Sequence, residues 1–296
     1  MKNSKIKISL GDRAFIAICY LFLALFAALC LFPFLLVVSA SFTDEYTLLW
    51  EGYKLIPSKL STSAYKLLFQ TSQLADAYLV TIFVTVVGTF ASLLVTSMMS
   101  YALSIKKLRI RNKVAFFVYF TMLFSGGMVA NYLMITKYLH LKDSIWVYIL
   151  PALISPWNMM LLRNFFATIP ESLAESAKID GANDMTILMK IVLPIAKPGL
   201  VTIGLFYALS YWNEWFKAML YIDKENLITL QYLIMKILRN INFANTVAGS
   251  VGISMNVPTY TARMATVVMT IGPIVFLYPF LQKYFVKGLT VGGVKG

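Results

Sequence analysis

The sequence predicts an all-α polytopic membrane protein with six transmembrane helices and both ends in the cytoplasm. Three observations carry this. Of 296 residues, 59% are hydrophobic, and the mean hydropathy of +0.74 is that of a membrane chain. The apolar residues gather into six runs, each near or above the ~20 residues that cross ~30 Å of hydrocarbon as a helix. The charged residues gather between the runs and follow the positive-inside pattern.

The runs span 14–40, 77–105, 114–136, 144–162, 199–222 and 264–282. Each must be helical, because lipid offers no partner to a free backbone group. The first follows a basic start (Lys2, Lys5, Lys7, Arg13), and residues 38–40 read VSA, like a cleavage site. It is much longer than the ~7–15 apolar residues of a secretory signal, so it reads as a retained span. In the sixth run, Gly272 and Pro273 are positioned to kink the helix.

Basic residues set the orientation. The loop after the second run carries Lys106, Lys107, Arg109, Arg111 and Lys113 with no acid, and the C-terminus adds Lys283, Lys287 and Lys295. The segment after the first run holds Asp44, Glu45, Glu51 and Asp76 against three lysines. The expected organisation is a cytoplasmic N-terminus (1–13) followed by one transmembrane domain (14–296). Within it lie an extracellular segment (42–76), a cytoplasmic loop (164–198), an extracellular loop (223–263) and a cytoplasmic tail (284–296).

Several functions are excluded or disfavoured. The net charge of +13 is orientation charge, with no basic–aromatic platform for nucleic acid. Cys19 and Cys30, eleven residues apart on one helix, lie ~16 Å apart and cannot bridge; they read as small buried apolar residues. His140 has no Cys or His at ligand spacing, so no metal site is expected. No G-x-x-x-x-G-K-[ST] loop is present, so the chain is not expected to hydrolyse ATP or to bind a cofactor itself. A membrane hydrolase would need a Ser/His/Asp set or HExxH, and neither is found. An ion-coupled carrier would need acids near the midplane, and Glu214 alone is available, off-centre.

The polar loop between the fourth and fifth runs carries the functional signal: IPESLAESAKIDGANDMTILMKIVLP, residues 169–194. Pro170 and Glu171 suit a first helical turn. Leu173, Ala174 and Ala177, with Ile179 as a further candidate, form an apolar patch. Asp180-Gly181 breaks the helix, since glycine fits the left-handed stop. Asn183 or Asp184 caps a second helix from Met185 to Val192, which Leu193-Pro194 is expected to end. Small residues with a single acid suit insertion into a partner's groove; an interfacial helix floating at the headgroups fits the same pattern.

Glu175-Ser176-Ala177, three residues, Gly181, nine residues, then Ile191-x-Leu193-Pro194 resembles the EAA loop of permease subunits of binding-protein-dependent ABC importers. Ser176 stands where that pattern has alanine, a small-for-small change. NYLMITKYLHLKDS (131–144), the 211–216 stretch YWNEWF and the ending YPFLQKYFVKGLTVGGVKG are similar to the sugar importers of the maltose-permease (MalG-like) group, in its LplC/YtcP-type subfamily. The resemblance implies a type I ABC importer permease fold, half of a heterodimeric path for an oligosaccharide. It implies a second, homologous permease chain, two ATPase subunits that hold ATP and magnesium, and an extracellular sugar-binding lipoprotein. It implies that the loop docks on an ATPase: Glu175 pairs with a basic group there, Ala177 packs in its cleft, Gly181 makes the turn, and Leu193-Pro194 fixes the return to the membrane, with Ser176, Asp180 and Ile191 in the same coupling set. The tail, 288–296, resembles tails that reach between the ATPases.

Polar groups within apolar runs mark a candidate substrate path. These are Asn131, Trp157 and Asn158, and Trp212, Asn213 and Glu214. Aromatic faces stack on sugar rings, and amides and carboxylates bond hydroxyls. An outer aromatic belt, with Glu214 paired to Lys217 one turn on, fits the same residues.

Overall fold

The computed structural model describes residues 10–70, 73–250, 258–272 and 275. The chain forms two compact units, residues 1–70 with 238–271 and residues 71–237 with 272–296. Among the described residues the regular structure is helical, apart from one isolated bridge between Thr43 and Leu60.

The first unit opens with α1, Leu10–Ser41. Its apolar side chains lie open along most of its length, as suits a helix solvated by lipid. Cys19 and Cys30 are exposed on it, not buried as the sequence suggested. A helix in lipid does not need protein around its apolar side chains, so apolar character there does not mean burial.

Two short helices follow, α2 (Glu45–Glu51) and α3 (Ser63–Phe69). Leu48, Ala64 and Leu68 are buried, Phe42 stacks on Tyr65 with centroids 4.8 Å apart, and Ser41 Oγ lies 2.9 Å from Tyr65 Oη. Residues 259–271 are helical. The Glu45 carboxylate sits at the start of that helix. It accepts from the backbone N–H groups of Thr259 (3.0 Å), Tyr260 (2.9 Å) and Thr261 (2.9 Å) and from the Thr261 hydroxyl (2.6 Å). An acid at a helix N-terminus satisfies donors that have no partner within the helix.

The second unit is built on α4, Gln73–Ser104. It continues with α5 (Arg111–Leu123), α6 (Gly127–Leu133) and a π-helical turn, Met134–Tyr138. The third apolar run is thus a pair of helices bent by 112°. Phe124 is extended and Gly127 takes φ +81°, which glycine alone adopts without strain. The fourth run is interrupted as well: α7 (Trp146–Ile149), a 3-10 turn at Leu150–Ala152, then α8 (Pro156–Ala167). Pro156 opens α8, and Ser155 Oγ caps it by accepting from Asn158 N at 3.4 Å.

Next come α9 (Glu171–Ile179), α10 (Asp184–Ile187), a π turn at Leu188–Val192, α11 (Leu193–Ile195) and α12 (Lys197–Trp212). The fifth apolar run therefore breaks after Trp212 and resumes as α13, Phe216–Tyr221. Most of the expected outer loop is one helix, α14, Leu230–Ser250. Among the described residues, Gly11–Ser41 and Gln73–Ser104 are long and apolar enough to cross a membrane as continuous helices, and counting each bent pair as one span gives up to four. The kink expected at Pro273 and the tail 288–296 lie outside the described residues.

α4 packs along α12 and α8, and its sequence explains how closely. Gly88, Ser92, Thr96 and Ser100 recur every fourth residue and form a stripe of small side chains. A Cβ on Gly88 would come within 2.8 Å of the Tyr211 ring. One turn on, Ser92 Oγ lies 2.8 Å from Tyr211 Oη, and Thr96 Oγ1 lies 2.7 Å from Tyr207 Oη. Ser100 Oγ donates to the Met159 carbonyl at 2.9 Å. α12 also meets α8 closely: a Cβ on Gly199 would lie 2.8 Å from Phe165.

Candidate functional site

The loop between α8 and α12 starts from a nine-residue helix. α9 follows Pro170, carries Glu171 in its first turn, and has no buried residue. Its stop is a Schellman turn. Gly181 N–H donates to Lys178 O (3.1 Å) and Ala182 N–H to Ala177 O (2.9 Å), with Asp180 as the cap and Gly181 at φ +82°. Asn183 starts the second helix: its Oδ1 accepts from Thr186 N at 2.8 Å.

Two details of this loop differ from expectation. Ile179 is 87% exposed, so it does not join Ala174 and Ala177, which are half-buried. It lies two residues past Ala177, far round the helix from that face. And Leu193-Pro194 does not end the second helix, which runs on to Ile195 and turns at Ala196. The π turn makes room for the proline: Leu193 N–H reaches back five residues to Leu188 O, and the ladder resumes with Ala196 N–H to Val192 O at 2.9 Å. The bend between the second helix and α12 is 87°. Ile187, Leu188 and Val192 are buried, while Ile191 and Leu193 are half-buried.

α9 is tied to the basic loop 106–113 by two ion pairs. Lys107 Nζ donates to Glu175 Oε1 at 2.9 Å, and Lys106 Nζ lies 3.2 Å from Glu171 Oε2. The Lys107 hydrogen bond and charge hold the Glu175 carboxyl below its ordinary range, and Glu175 raises the lysine in return. Lys178 pairs with Asp184 at 2.8 Å and is raised by that bond. All of these groups are exposed, so each pair adds little to stability. Their effect is to orient α9. Sequence reasoning read 106–113 as orientation charge and missed this second role; acids spaced i, i+4 at 171 and 175 opposite consecutive lysines were the available signal.

The candidate path residues fall in three places. Trp157 and Asn158 line a cavity of about 450 Å³ together with Ser155, Phe206, Tyr207 and Tyr211. Asn131 lines a second cavity, of about 570 Å³, beside Lys217, Phe216 and Tyr221. Trp212, Asn213 and Glu214 form the corner between α12 and α13. There Trp212 is buried. Asn213 Nδ2 donates to Leu209 O at 2.9 Å. Glu214 pairs with Lys217 and accepts from its backbone N–H at 2.9 Å, and Thr229 Oγ1 donates to Glu214 O at 2.6 Å. The expected local pair of Glu214 and Lys217 is present. Tyr207 was not singled out from the sequence, and Tyr211 only within the 211–216 stretch, although their i, i+4 spacing faces the small stripe of α4.

No protein-family model matches the chain. Whole-length relatives do. The polygalacturonan/rhamnogalacturonan transport system permease protein YtcP of Bacillus subtilis is 42% identical over 285 residues, covering 96% of this chain and 99% of its own. The chain belongs to the permease subunits of sugar ABC transport systems. The B. subtilis protein LplC is 38% identical to this permease over 299 residues, covering 100% of this chain and 98% of its own. The trehalose/maltose transport system permease protein MalG of Thermococcus litoralis is 27% identical over 281 residues, covering 92% of this chain and 94% of its own. A solved chain of a bacterial ABC transporter involved in import of the acidic polysaccharide alginate matches at TM-score 0.79 and 34% identity, covering 94% of this permease and 98% of that chain. The permease is an integral membrane protein and a transporter component rather than an enzyme.

Proposed function

We propose that this permease forms half of a heterodimeric path carrying an oligosaccharide inward, and that residues 169–194 couple it to an ATPase. The observation that carries the coupling role is α9: a helix with no buried residue, stopped by a Schellman turn and steadied by Lys106 and Lys107. A helix oriented by such contacts yet left uncovered is suited to docking. Ser176 and Ala177 keep its contact face small, and Asp180 with Gly181 sets its end. Ile191, Leu193 and Pro194 join it through the 87° bend to α12, so a push on α9 reaches the span that packs on α4.

The proposed assembly has six spans with both ends cytoplasmic, a reading supported by the basic loops. Its partners are a second, homologous permease, two ATPase subunits that hold ATP and magnesium, and an extracellular sugar-binding lipoprotein. The permease itself binds no cofactor. The sugar path uses the cavity of Trp157, Asn158, Tyr207 and Tyr211, whose lining has aromatic faces and neutral hydrogen-bonding groups but no charged side chain. Asn131, Trp212, Asn213 and Glu214 are further candidates for the path. Relatives named for polygalacturonan, arabinooligosaccharides and trehalose/maltose support an oligosaccharide substrate class.

Coupling is tested in proteoliposomes with the full transporter. Glu175→Ala should leave ATP hydrolysis measurable while sugar uptake per ATP falls about tenfold or more. Normal uptake per ATP in that variant overturns the coupling role.

A further inference from the structure

A cluster of positive charge in the second unit surrounds a cavity of about 390 Å³ between the end of α4, the start of α5, the end of α8 and α9. Lys106, Lys107, Arg111, Arg163 and Lys178 line it, with Glu171 and Glu175. The lysines are accounted for: Lys106 by Glu171, Lys107 by Glu175, and Lys178 by Asp184. Both carboxylates of the lining are thereby neutralised. The two arginines keep their charge. Among the described residues neither forms an ion pair, and Arg163 uses only its Nε, which donates to Leu103 O at 3.0 Å. A guanidinium has five N–H donors in a planar fork, so the terminal nitrogens of Arg163 and the whole head of Arg111 remain for an acceptor.

The rest of the lining is apolar or a hydroxyl: Leu103, Phe166, Val192, Ser104 and Thr168 among others. Arg111 opens the thirteen-residue helix α5, whose N-terminus adds partial positive charge on the same side. Two guanidinium forks and apolar side chains lining one cavity, at the ends of apolar helices, fit a phosphate on an amphiphile. We infer that this cavity binds a phosphate group, as the headgroup of an anionic phospholipid whose acyl chains leave along α4 and α8. A soluble phosphate compound presents the same chemistry, and the two are separated below. The site shares α9 with the coupling role proposed above, but its acceptor-binding groups, Arg111 and Arg163, lie on α5 and α8 and take no part in that role.

The test uses the intact transporter in nanodiscs of equal parts phosphatidylcholine and phosphatidylglycerol, with retained lipid read by native mass spectrometry after release. The wild type should retain phosphatidylglycerol over phosphatidylcholine. Arg111→Gln should cut that retention about tenfold, the size of one charge-assisted contact. Arg163→Gln should do the same; because Arg163 also holds the end of α4, Arg111→Gln carries the decision if Arg163→Gln fails to assemble. A second arm titrates inorganic phosphate into the delipidated transporter by calorimetry. Phosphate binding lost in Arg111→Gln, with lipid retention unchanged, assigns the site to a soluble phosphate. Equal lipid retention and equal phosphate binding in wild type and Arg111→Gln overturn the inference. Sugar uptake per ATP, measured on the same samples with Glu175→Ala as control, reads the coupling role separately.

Discussion

Gly181 shows what a single residue decides. At φ +82° a Cβ would meet no neighbour, so a substitution there suffers only backbone strain. That strain is about 1–2 kcal/mol for a residue with a side chain. Gly181→Val should therefore leave the membrane helices intact but loosen the stop of α9, and amide hydrogen exchange should rise over residues 178–184 and not over α4. Glu175 gives a second expectation. Its carboxyl is depressed by Lys107, so the pair's contribution is complete above the ordinary carboxylate range of about pH 4.3 and fades as pH falls through the lowered value. Lys107→Met should move the Glu175 midpoint upward toward the ordinary value, as read by carbon-13 titration of labelled glutamate. An unmoved midpoint would mean that Lys107 does not hold the carboxylate in solution. The sequence made the glycine stop legible, because the motif is local. The Lys107 partner was not legible, because 68 residues separate it from Glu175.

At the scale of elements, the α4–α12 contact is the one to challenge. A Cβ at position 88 must displace the Tyr211 ring, which is packed and hydrogen-bonded to Ser92. Overpacking of that kind costs ~1–3 kcal/mol. Removing the Tyr211 hydroxyl costs less, ~0.6 kcal/mol for a typical hydrogen bond between membrane helices. Gly88→Ala should thus lower the unfolding temperature of the purified permease more than Tyr211→Phe does. The reverse order would mean that hydrogen bonds, rather than close approach, hold these helices. The third, fourth and fifth apolar runs show the limit of hydropathy at this scale. Composition marks 114–136 as one stretch of oil, but Gly127 and an extended Phe124 turn it through 112°. Hydropathy measures where a segment is solvated and is blind to where its axis bends.

For the whole molecule the question is what drives the sugar. A permease without its own ATPase motif must take energy from partner subunits or from an ion gradient. The described structure places Glu214, the one acid inside the later apolar runs, in a pair with Lys217 at a helix corner, its carboxylate already committed. Uptake into right-side-out vesicles loaded with ATP should therefore persist when proton and sodium gradients are collapsed. Loss of uptake under those conditions would overturn ATP-driven import.

The sequence by itself determined the all-α membrane class, the polar loop and its helix–glycine–helix form, and the family. Those features are written in composition, local spacing and charge order, which need no knowledge of what lies opposite. Only the tertiary structure decided that α9 is braced by Lys106 and Lys107. It also decided that Tyr207 and Tyr211 meet the small stripe of α4, that Glu45 caps the helix starting at 259, and that Arg111 and Arg163 share a cavity. Each of these joins residues far apart in the chain, and an ion pair or a close helix contact exists only once packing has fixed both partners.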